Sequence, residues 1–403
     1  MDAATAQAPI EQAPIKQSPI AQQSPARRRY HEIDGLRGWA CTSVMLSHLF
    51  FGVFIKADPP FIAPHWRYIL MEPFLGGTLA VAVFFILSGD VLSAPYWTRP
   101  SRTFLVRQTV KRYVRLTVPI LGASTIVFVL IKAGLTFNHE AAPMLHVEDW
   151  LGNFLRGRFS IIDLLRFSGV TVYFQGPTER ALLPFLWIMR LEMLGSMLLL
   201  VYLFADYQIR RRYAAIIFML LVCLADDSML TCFPIGMLCA LARARGGFAW
   251  LQRQKLTEPI ALIGFALALV IGTYCNRVWQ GFLLPSIVAG GVVVTSVYAS
   301  RTLIRFFSMP LSRWLGQISF PIFLLHFAVI VSFTSGVALL AHEHGLLSPP
   351  MMWLIVAASA ALCIFISRLF LPVETFSGRA GNWTCDLMMR PETPERSTLQ
   401  SAT

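Results

Sequence analysis

Arg37 and His48 stand eleven positions apart in an apolar stretch running from His31 to Ile55, and Asp34 precedes Arg37 by three. At about 100° and 1.5 Å per residue, eleven steps make roughly three turns plus 20°, so guanidinium and imidazole share one helix face about 16 Å apart. Asp34 falls on the same stripe. Ionisable side chains are costly in hydrocarbon, and those that persist there face a cavity or a partner. A histidine in such a cavity can take a proton from a hydroxyl and return it to a leaving group, because imidazole titrates near neutrality. A plainer reading stands beside this one, in which Arg37 snorkels to headgroups and His48 bonds a neighbouring helix.

Four further groups carry candidate chemistry. Ser88-Gly89 permits close helix approach, and Asp90 beside it is expected to pair with an arginine of the next loop. Lys111, Arg112 and Arg115 belong to the densest basic run of the chain, with Arg112 and Arg115 at i,i+3 spacing that suits phosphate recognition, although basic anchoring at a cytoplasmic boundary produces such runs too. Arg190 and Glu192 lie two apart in an apolar segment and so point away from each other, which requires each to find its partner on another helix. His326 follows Pro321 in another apolar segment, either as a second titrating group or as a ring bonded to a backbone carbonyl. No metal site is expected, since His139-Glu140 and His342-Glu-His344 lack zinc-ligand spacing.

These residues need membrane elements to hold them. Of 403 residues 56% are hydrophobic and 14% charged, with mean hydropathy +0.60, a composition that excludes an ordinary soluble domain and predicts an all-α integral membrane protein. Apolar runs of roughly spanning length lie at 35–56, 75–95, 116–135, 182–204, 213–226, 229–243, 258–275, 282–300, 320–341 and 350–371. They predict about ten transmembrane helices with both termini cytoplasmic, and 213–243 is the place where two spans and a single hairpin compete. Basic residues gather at Arg99–Arg115, Arg210–Arg212, Arg243–Lys255 and Arg301–Arg313, the loops that ten spans would put inside. The net charge of +12 follows from that topology and calls for no nucleic-acid partner. Residues 1–30 are Gln/Pro-rich and read as a disordered cytoplasmic tail, 31–378 as the transmembrane domain, and 379–403 as a cytoplasmic C-terminal tail.

The motifs, taken in order, resemble the membrane acyltransferase-3 family over residues 30–378. They are Ile33-Asp-Gly-Leu-Arg-Gly-Trp-Ala40, the Arg37-x10-His48 pair, Phe84-Phe-Ile-Leu-Ser-Gly89, Arg112-x-x-Arg115, Leu186-Trp-x-x-Arg-Leu-Glu192, Ile318-Ser-Phe-Pro-Ile-Phe-Leu-Leu-His326 and Pro372-Val-Glu374. The resemblance implies a ten-helix O-acyltransferase that modifies sugars, lipids or small molecules at the cell surface. His48 would be its catalytic histidine, with Arg37 the essential partner and Asp34 or Glu192 setting the charge of the imidazole. Arg112 and Arg115 would bind the donor, an acyl-coenzyme A and most simply acetyl-coenzyme A from the cytosol, with Lys111, Ser88 and His326 bordering that site. Asp90 after Ser-Gly, and Pro321-Ile-Phe in place of Tyr-Pro-x-Tyr, depart from the family pattern and bear on acceptor geometry.

The expected acceptor is a polysaccharide or glycolipid hydroxyl, with the loop 136–181, which carries Trp150, Arg156, Arg158, Arg166 and Tyr173, selecting it. A bacterial inner membrane is the expected location, and membrane lipids the expected surroundings. A polytopic transporter is the competing class, because mid-membrane charges and a two-sided cavity serve translocation as well.

Overall fold

The computed structural model describes residues 30–55, 74–175, 181–226, 228–278 and 282–389, and every regular element among them is helical. The tail expected over 1–30 lies, except for Tyr30, outside the described residues, as does the end of the chain from 390.

Helix α1 (His31–Ser47) continues into a π-helical stretch, His48–Ile55. Then come α2 (Gly77–Thr98), α3 (Arg102–Lys132), a long connection with short helical turns, α4 (Ile188–Ala205), α5 (Arg212–Ala225), α6 (Cys232–Ala244), α7 (Thr257–Val278) and α8 (Leu284–Ala299). The chain closes with α9 (Arg301–Phe307), α10 (Pro310–Gln317), α11 (Ser319–Glu343, with a π-helical turn at Ile330–Thr334), α12 (Pro349–Leu369) and α13 (Leu371–Met388). Termini follow local chemistry: the Ser101 hydroxyl accepts from the Phe104 amide at 3.2 Å, and Pro310 and Pro349 occupy first-turn positions where no amide is needed.

Among the described residues, six segments are long and apolar enough to cross a membrane: Gly77–Thr98, Arg102–Lys132, Pro184–Gln208, Thr257–Cys275, Ser319–Glu343 and Pro349–Met388. Counting the pair α8 and α9 as one broken span makes seven. Apolar side chains such as Ile263, Leu267, Val270 and Ile271 stand outward on α7, as hydrocarbon permits. The expected spans 213–226 and 229–243 form α5 and α6, of 14 and 13 residues, short of the ~20 that a bilayer core demands. The expected span 282–300 ends in a 97° bend at Ser300. That bend is pinned by Glu258, whose carboxylate accepts from the Ser300 hydroxyl (2.7 Å) and from the Arg301 and Thr302 amides (2.9 and 3.1 Å), occupying the open N-terminus of α9. Beyond the last span, α13 runs to Met388 and lies along α3, tied by an Arg107–Asp386 bridge of 2.8 Å, so residues 379–388 are helical.

Glycine seams let the helices close. A Cβ at Gly89 would strike the Phe233 carbonyl, and one at Gly236 the Ile86 carbonyl, so α2 and α6 touch backbone to backbone as the Ser88-Gly89 pair predicts. Gly35 and Gly38 serve the same purpose where α1 meets Phe307 and the end of α10, and Gly316 admits the Asp34 carbonyl. Gly236→Val is therefore expected to abolish most folded, monodisperse protein, because a carbonyl cannot yield as a side chain does. Gly291→Ala, where a Cβ meets only Ile235 at 3.8 Å, is expected to leave the yield and the melting temperature in detergent unchanged.

Candidate active site

Helix α1 carries its chemistry in successive layers. At the start of the π-helical stretch, His48 Nδ1 lies 2.9 Å from His326 Nε2, with the rings nearly parallel at 8° and 5.1 Å between centroids. His326 Nδ1 is in turn 3.1 Å from the Ile322 carbonyl. A carbonyl can only accept, so in the neutral pair Nδ1 of His326 carries its proton and its Nε2 presents a lone pair. Nδ1 of His48 is then the donor to that lone pair, and the basic nitrogen of His48 is Nε2; this assignment comes from the hydrogen-bond partners. Of the two readings that the sequence leaves open for His326, the hydrogen bond to the Ile322 carbonyl matches the ring bonded to a backbone carbonyl.

Aromatic rings enclose the pair. Phe185, from the 3-10 turn Pro184–Trp187 before α4, stacks on His48 at 4.0 Å and on His326 at 5.2 Å. Phe154 and Phe327 stand edge-on to Phe185 at 5.4 and 5.1 Å. Trp150 stacks on the far side of this group, 5.7 Å from Phe185 and 6.2 Å from His48. A cavity of about 480 Å³ reaches His48 past Ser47, Thr78, Trp187 and Phe323, with walls that are mostly apolar.

Nearer the start of α1 is a charged layer. Arg115 lies within the electrostatic reach of Arg112, Arg37 and Glu374, and Glu374 within that of Arg115 and Arg37. Arg112 donates to the buried carboxylate of Glu192. Arg37 Nε, Arg112 Nε, Glu192 Oε2 and Glu374 Oε2 are all buried without a hydrogen bond, so the cluster keeps donor and acceptor capacity in reserve. Three guanidiniums against two carboxylates leave the layer cationic, a composition that suits an anionic group with several oxygens.

The sequence-chosen residues distribute as follows. His48 and His326 meet; Arg37, Arg112, Arg115 and Glu192 share the charged layer. Glu192 takes its partner from α3 while Arg190 stands exposed, as their 160° separation requires. Asp34 sets its backbone against Gly316, and the stem of Lys111 covers Gly381 of α13, 3.6 Å from where a Cβ would be. Ser88 is buried at the α2–α6 seam. Asp90 does not pair with the following loop. Its carboxylate accepts from Arg243 of α6 and from the Tyr298 hydroxyl at 3.0 Å, because the glycine seam brings α6 closer than any residue of that loop. In the 136–181 loop, Trp150 reaches the histidine layer while Arg158 and Arg166 are exposed. Tyr173 shares a 2.9 Å hydrogen bond with Thr117, and burial pushes its phenol well above the ordinary tyrosine range. Residues 176–180 of the loop lie outside the described residues. Phe185, Phe154 and the charge role of Glu374 escape sequence reasoning; Gly52, four residues after His48 inside a run of bulky side chains, is the one signal that something packs there.

The described residues thus form an all-helical protein with a histidine pair beside a cavity and a cationic layer about 16 Å away on the same helix. The chain belongs to the Acyl_transf_3 family, described as an acyltransferase domain, whose model matches residues 30–368. It is a multi-pass integral membrane acyltransferase, and not an aminoacyl transferase. No curated protein and no solved structure matches it.

The buried Arg112–Glu192 pair makes a prediction of its own. Arg112→Ala strands a carboxylate and is expected to cost roughly 3–5 kcal/mol, whereas Arg112→Met combined with Glu192→Leu recovers most of that loss. Melting of the solubilised protein checks this; additive effects of the single changes would show that the two groups are not coupled.

Proposed function

We propose that this acyltransferase takes an acyl group, acetyl in the simplest case, from acyl-coenzyme A on the cytosolic side and delivers it to a hydroxyl of a cell-surface polysaccharide or glycolipid. The observation that carries the reading is the hydrogen bond from His48 Nδ1 to His326 Nε2, which makes Nε2 of His48 the basic nitrogen at a cavity. In this reading Arg37, Arg112 and Arg115 hold the phosphates of the donor, with Lys111 adding charge beside them and Glu192 keeping Arg112 in place. The pantetheine arm then follows α1 to the histidine layer. As the acceptor oxygen attacks the thioester carbonyl, His48 Nε2 takes its proton; the C–S bond breaks and the leaving thiolate recovers the proton from His48. Transfer by way of an acyl-histidine would use the same nitrogen. His326 acts as a positioning residue, holding the tautomer and receiving the strengthened hydrogen bond when His48 becomes cationic.

The topology that goes with this mechanism has ten membrane passes, α5 and α6 being short ones, both termini cytoplasmic, and the charged layer towards the cytosol of a bacterial inner membrane. Basic residues gather in the connections that ten spans would put on the cytoplasmic side, which supports that orientation.

Two experiments test the reading. Mass spectrometry of surface glycans and glycolipids from a deletion strain is expected to regain an acyl increment with the wild-type chain and to lose it by at least ~100-fold with His48→Ala at equal membrane abundance; equal restoration by both would remove His48 from the chemistry. Arg115→Gln is expected to raise the KM for acetyl-coenzyme A about tenfold with a smaller change in kcat, since a phosphate contact is made in ground and transition states alike. An unchanged KM would place the donor elsewhere.

A further inference from the structure

We propose that Trp150, seated on Gly52 and outside the lining of the cavity that reaches His48, seals the loop side of the reaction centre against water, so that the thioester yields to an acceptor hydroxyl arriving through the cavity and not to hydrolysis. The inference rests on the donor assignment above and adds to it the residue that discriminates between two nucleophiles.

A base beside a thioester does not distinguish water from an alcohol. Either oxygen attacks the carbonyl, His48 Nε2 takes its proton, the C–S bond breaks and the thiol leaves with the proton. The products differ only in being a carboxylic acid or an ester. Discrimination must therefore come from denying water access. The geometry supplies a barrier of flat apolar surfaces: Phe185 stacks on His48, and Trp150 stacks on Phe185 at 20° while meeting Phe154 edge-on at 5.3 Å.

Gly52 belongs to this arrangement. A Cβ there would lie 2.5–2.9 Å from three atoms of the six-membered ring of the indole, so nothing larger than glycine admits Trp150 at this depth. The segment bearing Trp150 is also fastened. Asn138, fully buried, donates to the Leu151 and Phe154 carbonyls at 3.2 and 3.0 Å, bracketing the tryptophan's segment. Its neighbour Phe137 donates its amide to the Val331 carbonyl at 2.8 Å, on the helix that carries His326, and packs its ring against Gly336. Rotation of the π-helical turn Ile330–Thr334 turns that carbonyl outward from the regular ladder. The closure is thus built on the same two helices as the histidine pair.

The test uses the full-length protein in lipid nanodiscs, with acetyl-coenzyme A as the probe and no acceptor, and reads release of free thiol. Trp150→Ala and Gly52→Ala are each expected to raise that release roughly tenfold over wild type, and Trp150→Phe to stay close to wild type. Adding His48→Ala to Trp150→Ala is expected to return release to background. Surface acylation in complemented cells should fall for the first two variants. Melting temperatures within a few degrees of wild type, required of every variant scored, exclude a folding defect, and Gly52→Ala moves the indole without removing it. If thiol release stays at the wild-type level while surface acylation falls, Trp150 is a platform for the acceptor and the proposal is overturned. If wild type neither acylates the surface nor turns over acetyl-coenzyme A when glycan extract is supplied, the donor assignment itself fails and the closure falls with it.

Discussion

Hydrocarbon offers no hydrogen bonds, so each polar side chain between these helices must be answered by another helix, and the fold is organised around the answers. Arg112 and Glu192 are 80 positions apart, Asp90 and Arg243 are 153, and His48 and His326 are 278. Asp206 collects Arg212 through two bonds of 2.6 and 2.7 Å and the hydroxyls of Tyr96 and Tyr202 at 3.1 and 3.2 Å. A buried pair of this kind adds little net stability over an apolar substitute, yet breaking it strands a charge, so its contribution is to select one arrangement of helices over others. The glycine seams make the selection possible. Without Gly89 and Gly236 the α2 and α6 backbones could not approach, and Arg243 would not reach Asp90.

The two histidines lie on or just before π-helical stretches, His48–Ile55 and Ile330–Thr334. A π-turn widens the helix and shifts carbonyls out of register. In α11 the Ile330 carbonyl accepts from the Ser335 hydroxyl at 2.8 Å, and the Val331 carbonyl accepts from Phe137. An irregularity in the span thereby becomes the anchor of a loop, and the loop in turn brings Trp150 and Phe154 to Phe185. Local backbone geometry, loop position and the enclosure of His48 form one chain of cause.

Much of this was readable beforehand, and the limits of the reading are physical. Periodicity put Arg37 and His48 three turns apart on α1, and each has polar company there: Glu374 and Arg115 within electrostatic reach of Arg37, His326 bonded to His48. The opposed directions of Arg190 and Glu192 predicted separate surroundings, and only Glu192 is buried. Composition marked the helical membrane class. What could not be read was which distant segment meets which, because hydrophobicity repeats along every span and carries no address. Hence Asp90 was assigned to the nearest arginines, while a backbone contact elsewhere decided its partner. Length bears on the count of spans as well: α5 and α6 are apolar enough for spans, but at 14 and 13 residues they fall short of the ~20 that a bilayer core demands. The aromatic enclosure left one trace, a glycine at 52 where a helix in lipid has no need of one.

The separation of the charged layer from the histidine layer has a chemical logic. A cationic cluster at the same level as His48 would disfavour its protonation and weaken it as a base. Three turns along α1 from His48, the guanidiniums can attract an anion with less of that penalty, since charge repulsion falls with separation. Glu192 and Glu374 reduce the charge that the bundle must hold when nothing anionic is bound, and their unbonded oxygens show that they do so without closing the cluster. The aromatic closure solves the complementary problem at the other layer, where the hazard is an unwanted nucleophile and the remedy is shape. Under the proposed donor assignment, charge is used where the ligand is charged, and apolar surface where the competing molecule is water.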